Sequence, residues 1–160
     1  MADWRDLERD APQIARPGLA RLHAAGVAMV GTLRPDGSPR ISPIEPHLIR
    51  GHLLVGAMTW SQKAADLLRD PRYVLHSIVT GPDSGEGELK LHGSATQAGQ
   101  GLRAAATQAW WHGCSPEQAV VFALRIATAV FVEWDIEHAL MTVHRWSPRS
   151  GYSHSTRGYP

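Results

Sequence analysis

The sequence predicts a mainly β protein with added helices (the α+β class), in which an antiparallel sheet closes into a barrel with short peripheral helices. Six or seven short apolar or alternating segments recur along the chain, and turn residues separate them. Hairpin-like turns join successive segments, which favours antiparallel pairing over a crossover fold. Two prolines in residues 39–44 restrict the pairing of that segment, and barrel closure would protect such an edge.

The composition restricts the class of protein. The chain has 160 residues, which suits a single domain over residues 1–160, and its net charge of +1 comes from mixed acidic and basic residues. Because no basic stripe occurs, we expect no nucleic-acid partner. The single cysteine, Cys114, excludes an internal disulfide framework and suits a reducing cytoplasm.

Two stretches bear on secretion and membranes. Residues 1–10 are charged and lack the apolar centre of a signal peptide. The longest apolar stretch, residues 119–134, is interrupted by Arg125 and is shorter than the roughly 20 residues that a spanning helix needs. We therefore expect a soluble, cytoplasmic protein with no membrane partner.

The first elements are an N-terminal helical segment within residues 1–25 and a β-hairpin. Residues 10–25 have apolar side chains at broadly helical spacing, and Pro17-Gly18 offers a point at which the helix can divide into two. Gly26 suits the C-terminal cap. The apolar run 27–33, a Pro-Asp-Gly turn and the alternating residues 39–44 then predict the hairpin. Its second strand places Arg40 and Ser42 on one face.

A second hairpin and a short helix follow. Residues 46–49 and 52–57 flank Arg50-Gly51, a two-residue hairpin turn. The helix covers residues 62–69, with Ala64, Leu67 and Leu68 on its apolar face, and Asp70-Pro71 ends it.

The C-terminal half alternates between strands and helices. We predict a strand over residues 73–80, a loop over 81–87 and a strand over 88–97, in which Gly93 allows a bulge or a close approach. An alanine-rich helix covers residues 101–112.

A second helix is predicted to begin at Ser115-Pro116-Glu117-Gln118, which has capping-box spacing. A strand follows from about residue 126 to residue 134, and the last strand covers 139–146. Residues 147–160 are predicted to be a polar tail without core contacts.

The chemistry centres on Ser61-Gln62-Lys63. Ser61 is placed as an N-cap, so the first helical N–H groups point outward, and a lysine lies in the first turn. Such a helix start is suited to a phosphate, and Arg40 on a nearby strand can contact the same anion. The alternative is that Lys63 and Arg40 are solvated surface charges and that Ser61 only caps the helix.

Several other residues offer weaker alternatives. The nine histidines are scattered, and no pair has the spacing of a zinc site, so we expect no metal. Cys114 has a setting that can lower a thiol pKa, but the sequence pairs no histidine with it. Trp110-Trp111 is more typical of packing than of stacking on a ligand. Trp60 is the aromatic residue that we expect near a cofactor.

The order of these pieces resembles the pyridoxamine 5′-phosphate oxidase-like superfamily, the split β-barrel proteins that bind flavins and deazaflavins. The resemblance rests on L-R-P-D-G-S-P-R-I-S-P, a short hairpin, and T-W-S-Q-K-A-x-x-L-x-x-D-P-R, and it covers about residues 26–93. It implies a homodimer with a flavin phosphate between the barrel strands and the serine-lysine turn.

Carried over by position, the resemblance implies a set of cofactor-binding residues. Arg40 and Ser42 lie on the phosphate-side strand, and Met58 and Thr59 run under the ring system. Gln62 and Lys63 hold the phosphate together with Ser61. The resemblance further implies that Glu88 approaches the cofactor across the dimer.

The chain departs from the oxidase itself at two places. Ser42-Pro43-Ile44-Glu45 stands where the oxidase has a longer basic strand, and the oxidase's C-terminal arginine-histidine signature is not reproduced. Trp146 and Arg157 only loosely match the tryptophan and arginine near the end of the oxidase. These departures argue against pyridoxamine phosphate oxidation and leave FMN, or alternatively F420, as the expected cofactor.

Three functions follow from these patterns. The first is an oxidoreductase in which FMN or F420 carries hydride to or from a small organic substrate, with no catalytic residue assigned. The second is a flavin- or haem-binding carrier or sensor without turnover. The third is an interaction domain with no cofactor.

Overall fold

The computed structural model describes residues 1–79, 81, 87–109 and 117–159. Within them the chain forms four helices: α1 (Trp4–Asp10), α2 (Pro12–Ala25), α3 (Gln62–Arg69) and α4 (Gln100–Ala109). The same residues form nine strands: β1 (Ala28–Leu33), β2 (Pro39–Ile44), β3 (Pro46–Ile49), β4 (His52–Met58), β5 (Arg72–Ser77), β6 (Glu88–Gln97), β7 (Ala119–Asp135), β8 (Leu140–Ser147) and β9 (Gly151–Gly158).

The strands form one antiparallel sheet that curves into a split barrel, so the predicted α+β class is confirmed. The hydrogen-bonded order is β2-β1-β5-β6-β7-β4-β3, and β8 and β9 extend the sheet from β7. The path begins at β2 and ends at β3. A single residue, Glu45, separates these two strands in the chain. Among the described residues no ladder joins these two strands, so the barrel is split there rather than closed, as the resemblance to split β-barrel proteins implies. Pro39, Pro43 and Pro46 have no N–H to donate to such a ladder.

The core lies between the sheet and the two N-terminal helices. Each fully buried leucine or phenylalanine contributes about 1.5–3 kcal/mol relative to an exposed one. The largest fully buried side chains are Trp4, Leu7, Ile14, Leu22, Leu53, Leu54, Leu67, Leu75, Leu89, Leu91, Phe122 and Leu124.

The N-terminal helical segment divides at a different residue from the one predicted. The break falls at Ala11, whose φ is −143°, and Pro17 stays inside α2. Pro12 takes the first position of α2, where a missing N–H costs nothing. The helix needs a small residue after Pro17 because a Cβ at Gly18 would lie 2.9 Å from Leu89. The predicted cap is confirmed, since Gly26 is left-handed at φ 66°.

Both predicted hairpins are confirmed. In the first turn Gly37 has a φ of 82°, and the Asp36 Oδ1 atom accepts a hydrogen bond from the Ser38 N–H at 2.9 Å. In the second turn Arg50 and Gly51 both have positive φ, at 52° and 81°. Two successive residues of this kind are the signature of a type I′ hairpin turn.

The C-terminal half contains two errors of prediction. The helix expected from residue 115 is wrong over its described part, because Glu117 and Gln118 form a turn and β7 begins at Ala119. The first part of β7 pairs with β4 and the next part with β6, so burial between neighbouring strands decides its conformation. The irregular tail expected over residues 147–160 is also wrong as to secondary structure, since β9 pairs with β8 along its whole length, although its polar side chains are mostly exposed as predicted.

Some predictions lie outside the described residues: those for Cys114, Trp110-Trp111 and most of the loop over residues 81–87. In the part of the chain that is described, no helix combines the length and apolar character needed to cross a bilayer.

Candidate functional site

A cavity of about 440 Å³ lies where the end of β2, the end of β4 and the start of α3 meet. Its volume falls in the usual range of small-molecule sites. It is lined by Val27, residues 43–45 and 56–58, Trp60, Ser61 and Lys63.

The start of α3 forms one wall of this cavity. Ser61 is extended, at φ −77° and ψ 144°, and its Oγ accepts a hydrogen bond from the Ala64 N–H at 3.3 Å. The predicted N-cap is therefore confirmed. The first N–H groups of a helix have no partner within the helix, and they carry the positive end of its dipole. This wall of the cavity thus favours an anion.

Lys63 brings a positive charge to the same wall. Its Nζ donates a hydrogen bond to the backbone carbonyl of Pro43 on β2. Burial lowers the pKa of Lys63 below its ordinary value, and the nearby Glu45 carboxylate partly opposes that shift. An anionic group in the cavity would recover part of the solvation that the ammonium has lost.

Arg40 takes part in a different contact between β2 and α3. Its Nε donates to the Asp66 Oδ2 atom at 2.7 Å, and the Thr32 hydroxyl donates to the same oxygen at 2.9 Å. Arg69 donates to the other oxygen at 3.3 Å. Asp66 is only 1% exposed. Burial alone would raise the pKa of its carboxyl, but the bonds from Arg40, Thr32 and Arg69 lower the pKa below its ordinary value.

Arg40 and Lys63 therefore both lie along the contact between α3 and β2. Lys63 and Asp66 are three residues apart on the helix, and side chains at this spacing share a face. Lys63 binds the Pro43 end of β2, whereas Asp66 binds Arg40 near its start. Lys63 lines the cavity, but Arg40 and Ser42 do not.

The remaining predicted residues divide into two groups. Met58, Trp60 and Ser61 line the cavity, and the Trp60 residue is 78% exposed. Thr59 lines a separate cavity of about 150 Å³, and its hydroxyl lies 3.4 Å from the carbonyls of Glu117 and Gln118.

Gln62 and Glu88 are not on the cavity wall. Gln62 is exposed in the first turn of α3. Glu88 contacts His76, with 3.2 Å between the carboxylate and Nε2, and also binds Lys90. The cofactor-binding role of all nine predicted residues stays a prediction. Among the described residues, no group of histidine, cysteine and carboxylate side chains has the geometry to hold a metal ion.

Sequence reasoning missed two residues of this region, Glu45 and Asp66. Glu45 lines the cavity, and Asp66 anchors α3 to the sheet. The signal for Asp66 was available, since Lys63 and Asp66 share one face of a short helix. The apolar face was instead assigned to Ala64, Leu67 and Leu68, of which Leu68 is 49% exposed.

A split barrel with these elements is the fold of the pyridoxamine 5′-phosphate oxidase-like proteins, as the resemblance predicted. No protein-family model matches the sequence, and no curated protein matches it significantly. The similarity comes from solved structures at low sequence identity, and it shows the fold.

Three of these structures illustrate the range of the fold. A pyridoxamine 5′-phosphate oxidase-related, FMN-binding protein of Nostoc punctiforme has a TM-score of 0.68 at 14% identity, covering 92% of this chain and 96% of that one. PhzG of Burkholderia lata, in complex with tetrahydrophenazine-1-carboxylic acid, has a TM-score of 0.65 at 14% identity, covering 94% and 96%. A haem-binding protein of Mycobacterium smegmatis has a TM-score of 0.59 at 16% identity, covering 89% and 88%.

Proposed function

We propose that this protein is an FMN-binding oxidoreductase that transfers hydride to or from a small organic substrate. The observation that carries the proposal is the cavity at the start of α3, where the Lys63 ammonium and the capped helix N-terminus lie on one wall. A phosphate-bearing ligand fits this arrangement because both features favour an anion. The FMN-binding protein of the same fold supports the choice of cofactor.

Different residues of the cavity bind different parts of the cofactor. Lys63 and the first N–H groups of α3 hold the phosphate, and Ser61 keeps those N–H groups in place. Met58 and Trp60 contact the ring system, and the apolar wall around Gly56 and Ala57 excludes water from it.

When bound, the flavin supplies the hydride chemistry, and the protein supplies position and environment. Arg40 acts through Asp66, by holding α3 against β2, and does not itself need to touch the phosphate. No catalytic side chain is assigned.

We also propose that the working unit is a homodimer with the cofactor site at its interface. Trp60 at the cavity and Ile41 on the edge strand are the two most exposed large apolar residues of the described chain, at 78% and 70%. A second copy of the chain would cover Ile41 and complete the site. Glu88 belongs to this proposal as the predicted contribution from across the dimer.

Titration of the purified full chain with FMN, riboflavin and F420, side by side, tests the proposed function. The flavin and deazaflavin absorbance bands report binding. We expect FMN to bind at least tenfold more tightly than riboflavin, because only FMN carries the phosphate. Tighter binding of F420 would favour the deazaflavin reductase, and equal binding of FMN and riboflavin would contradict a phosphate site. Reoxidation of the reduced cofactor by enones or quinones separates an enzyme from a carrier.

A further inference from the structure

We propose that the same cavity has a second subsite, formed by Glu45 and Trp60, that takes an organic cation such as an amine or a quaternary ammonium group. The inference deepens the proposed function, because it assumes that the anionic group of the cofactor occupies the Lys63 end. The inference assigns the substrate to the class of organic cations.

The first observation is the charge of the cavity wall. Two side chains of acidic and basic type line the cavity, the Glu45 carboxylate and the Lys63 ammonium, and their charges are opposite. Within the described part of the chain, the Glu45 side chain has no hydrogen bond or salt bridge, and it acts on Lys63 and on His47 through its charge alone. Once a phosphate is bound to Lys63, the ammonium no longer balances the Glu45 charge, and a cationic ligand can do so.

The position of Glu45 follows from the backbone. Glu45 is the single residue between β2 and β3, at the corner where the sheet is split. Its neighbours Ile44 and Pro46 are buried, whereas Glu45 itself is exposed. The corner is therefore anchored on both sides of Glu45, which keeps the carboxylate at the rim of the cavity.

The second observation is the aromatic residue on the same wall. Trp60 lines the cavity with Glu45 and is 78% exposed, so that one face of the indole is open to a cation while the other contacts the ring system of the cofactor. An aromatic face attracts a cation by about 0.5–1 kcal/mol at an exposed site, and tryptophan is the strongest of the aromatic residues in this respect. A carboxylate and an indole that line one cavity favour an ammonium group over a neutral or anionic group of the same shape.

The same charge disfavours an anionic substrate. A second phosphate or carboxylate in the cavity would meet the Glu45 charge, while Lys63 would already be engaged. We therefore infer that the substrate is not a phosphate ester.

Three probes of nearly equal shape test the subsite: choline, 3,3-dimethylbutan-1-ol and 3,3-dimethylbutanoate, which are cationic, neutral and anionic. Calorimetric titration is carried out on the full chain, with and without saturating FMN. We expect choline to bind at least tenfold more tightly than the alcohol, and the carboxylate to bind most weakly. Equal affinity for choline and the alcohol would overturn the proposal.

Matched variants locate the effect. Glu45→Gln should remove the preference for choline, and Trp60→Leu should reduce choline affinity about threefold, whereas Trp60→Phe should keep part of it. The control is Glu137→Gln, which removes an exposed carboxylate from the turn between β7 and β8. If Glu45→Gln and Glu137→Gln change choline binding alike, the subsite is not at Glu45. Circular dichroism of each variant verifies that it is folded.

The two proposals fail separately in this experiment. FMN binding is read from the flavin spectrum of the same samples. If FMN binds and choline is not preferred, the cation subsite is wrong and the flavin site stands. If choline is preferred through Glu45 but FMN does not bind, the proposed cofactor is wrong and the cation subsite stands.

Discussion

The Nε atom of Arg40 lies 2.7 Å from the Oδ2 atom of Asp66, and this ion pair attaches the edge strand β2 to α3. Asp66 is almost fully buried, and the Arg40 side chain is 21% exposed. Because β2 and α3 form two walls of the cavity, the pair determines the shape of the candidate site. The consequences of removing it can be measured directly.

Asp66→Asn should destabilise the protein by about 3 kcal/mol, because it leaves Arg40 without its carboxylate in a largely buried contact. The free energy of unfolding in urea measures the effect. Asp70→Asn is the matched control, since Asp70 is on the surface and pairs with an exposed arginine. Equal urea midpoints for the two variants would show that the buried pair of Arg40 and Asp66 contributes little to the stability of the protein.

The stability of the wild-type protein should depend on pH through Asp66. The pKa of this carboxyl is lower in the folded chain than its ordinary value. The contribution of ionised Asp66 to the free energy of unfolding is therefore fully present at a pH above the ordinary pKa of about 3.9. It is lost as the pH falls through the lowered pKa of the folded chain. The difference in unfolding free energy between wild type and Asp66→Asn should narrow between about pH 5 and pH 2. If the difference in unfolding free energy between the two proteins stays constant over this range, the pKa of Asp66 is not lowered in the folded chain.

Lys63→Ala should weaken FMN binding about 10- to 100-fold, since a charge-assisted contact contributes about 1.5–3 kcal/mol. Riboflavin affinity should change less than about twofold, because riboflavin lacks the phosphate that the charge-assisted contact requires. Fluorescence titration with both ligands gives the comparison, and Lys63→Arg should restore part of the FMN affinity. Arg149→Ala, which removes an exposed cation from the turn between β8 and β9, controls for net charge. Equal losses for the two ligands would remove Lys63 from the phosphate site.

Gly93→Ala should be strongly destabilising. The register between β6 and β7 shifts at this residue, and a Cβ there would overlap the carbonyl oxygen of Arg125. The strands would have to separate, at a cost of about 1–3 kcal/mol for an overpacked site. Gly99→Ala is the control, because a Cβ at Gly99 would have no neighbour within 4 Å. Thermal unfolding of both variants decides the question, and equal melting temperatures would refute the close approach.

Ile41→Asp should convert the proposed homodimer to a monomer. Ile41 is 70% exposed on the edge strand. A carboxylate at this position would lose its hydration when the interface forms, and this desolvation would oppose dimerisation. Sedimentation velocity should give the mass of two chains for wild type and one for the variant. Ile136→Asp, at a residue in the turn between β7 and β8 that is 42% exposed, should leave the dimer intact. A monomeric wild type would end this proposal.

Two errors in the fold prediction concern strands. Residues 119–125 are predicted as helix and residues 151–158 as a tail, yet both form strands. β9 pairs with the preceding strand β8, but its mostly exposed polar residues show no apolar alternation, whereas the first part of β7 pairs with β4, a partner distant in the chain. Strand conformation depends on that partner more than on the local residues.

The sequence by itself determined the elements whose signals are local: both hairpins from their turn residues, the bounds of α3 from Ser61 and Asp70, and the bulge at Gly93. A turn or a cap needs only a few neighbouring residues, so its chemistry can be read without the fold. The tertiary structure alone decided that Arg40 binds Asp66, that Lys63 and Glu45 face one cavity, and that the sheet stays open at Glu45. These relations join residues far apart in the chain, and only packing brings them together.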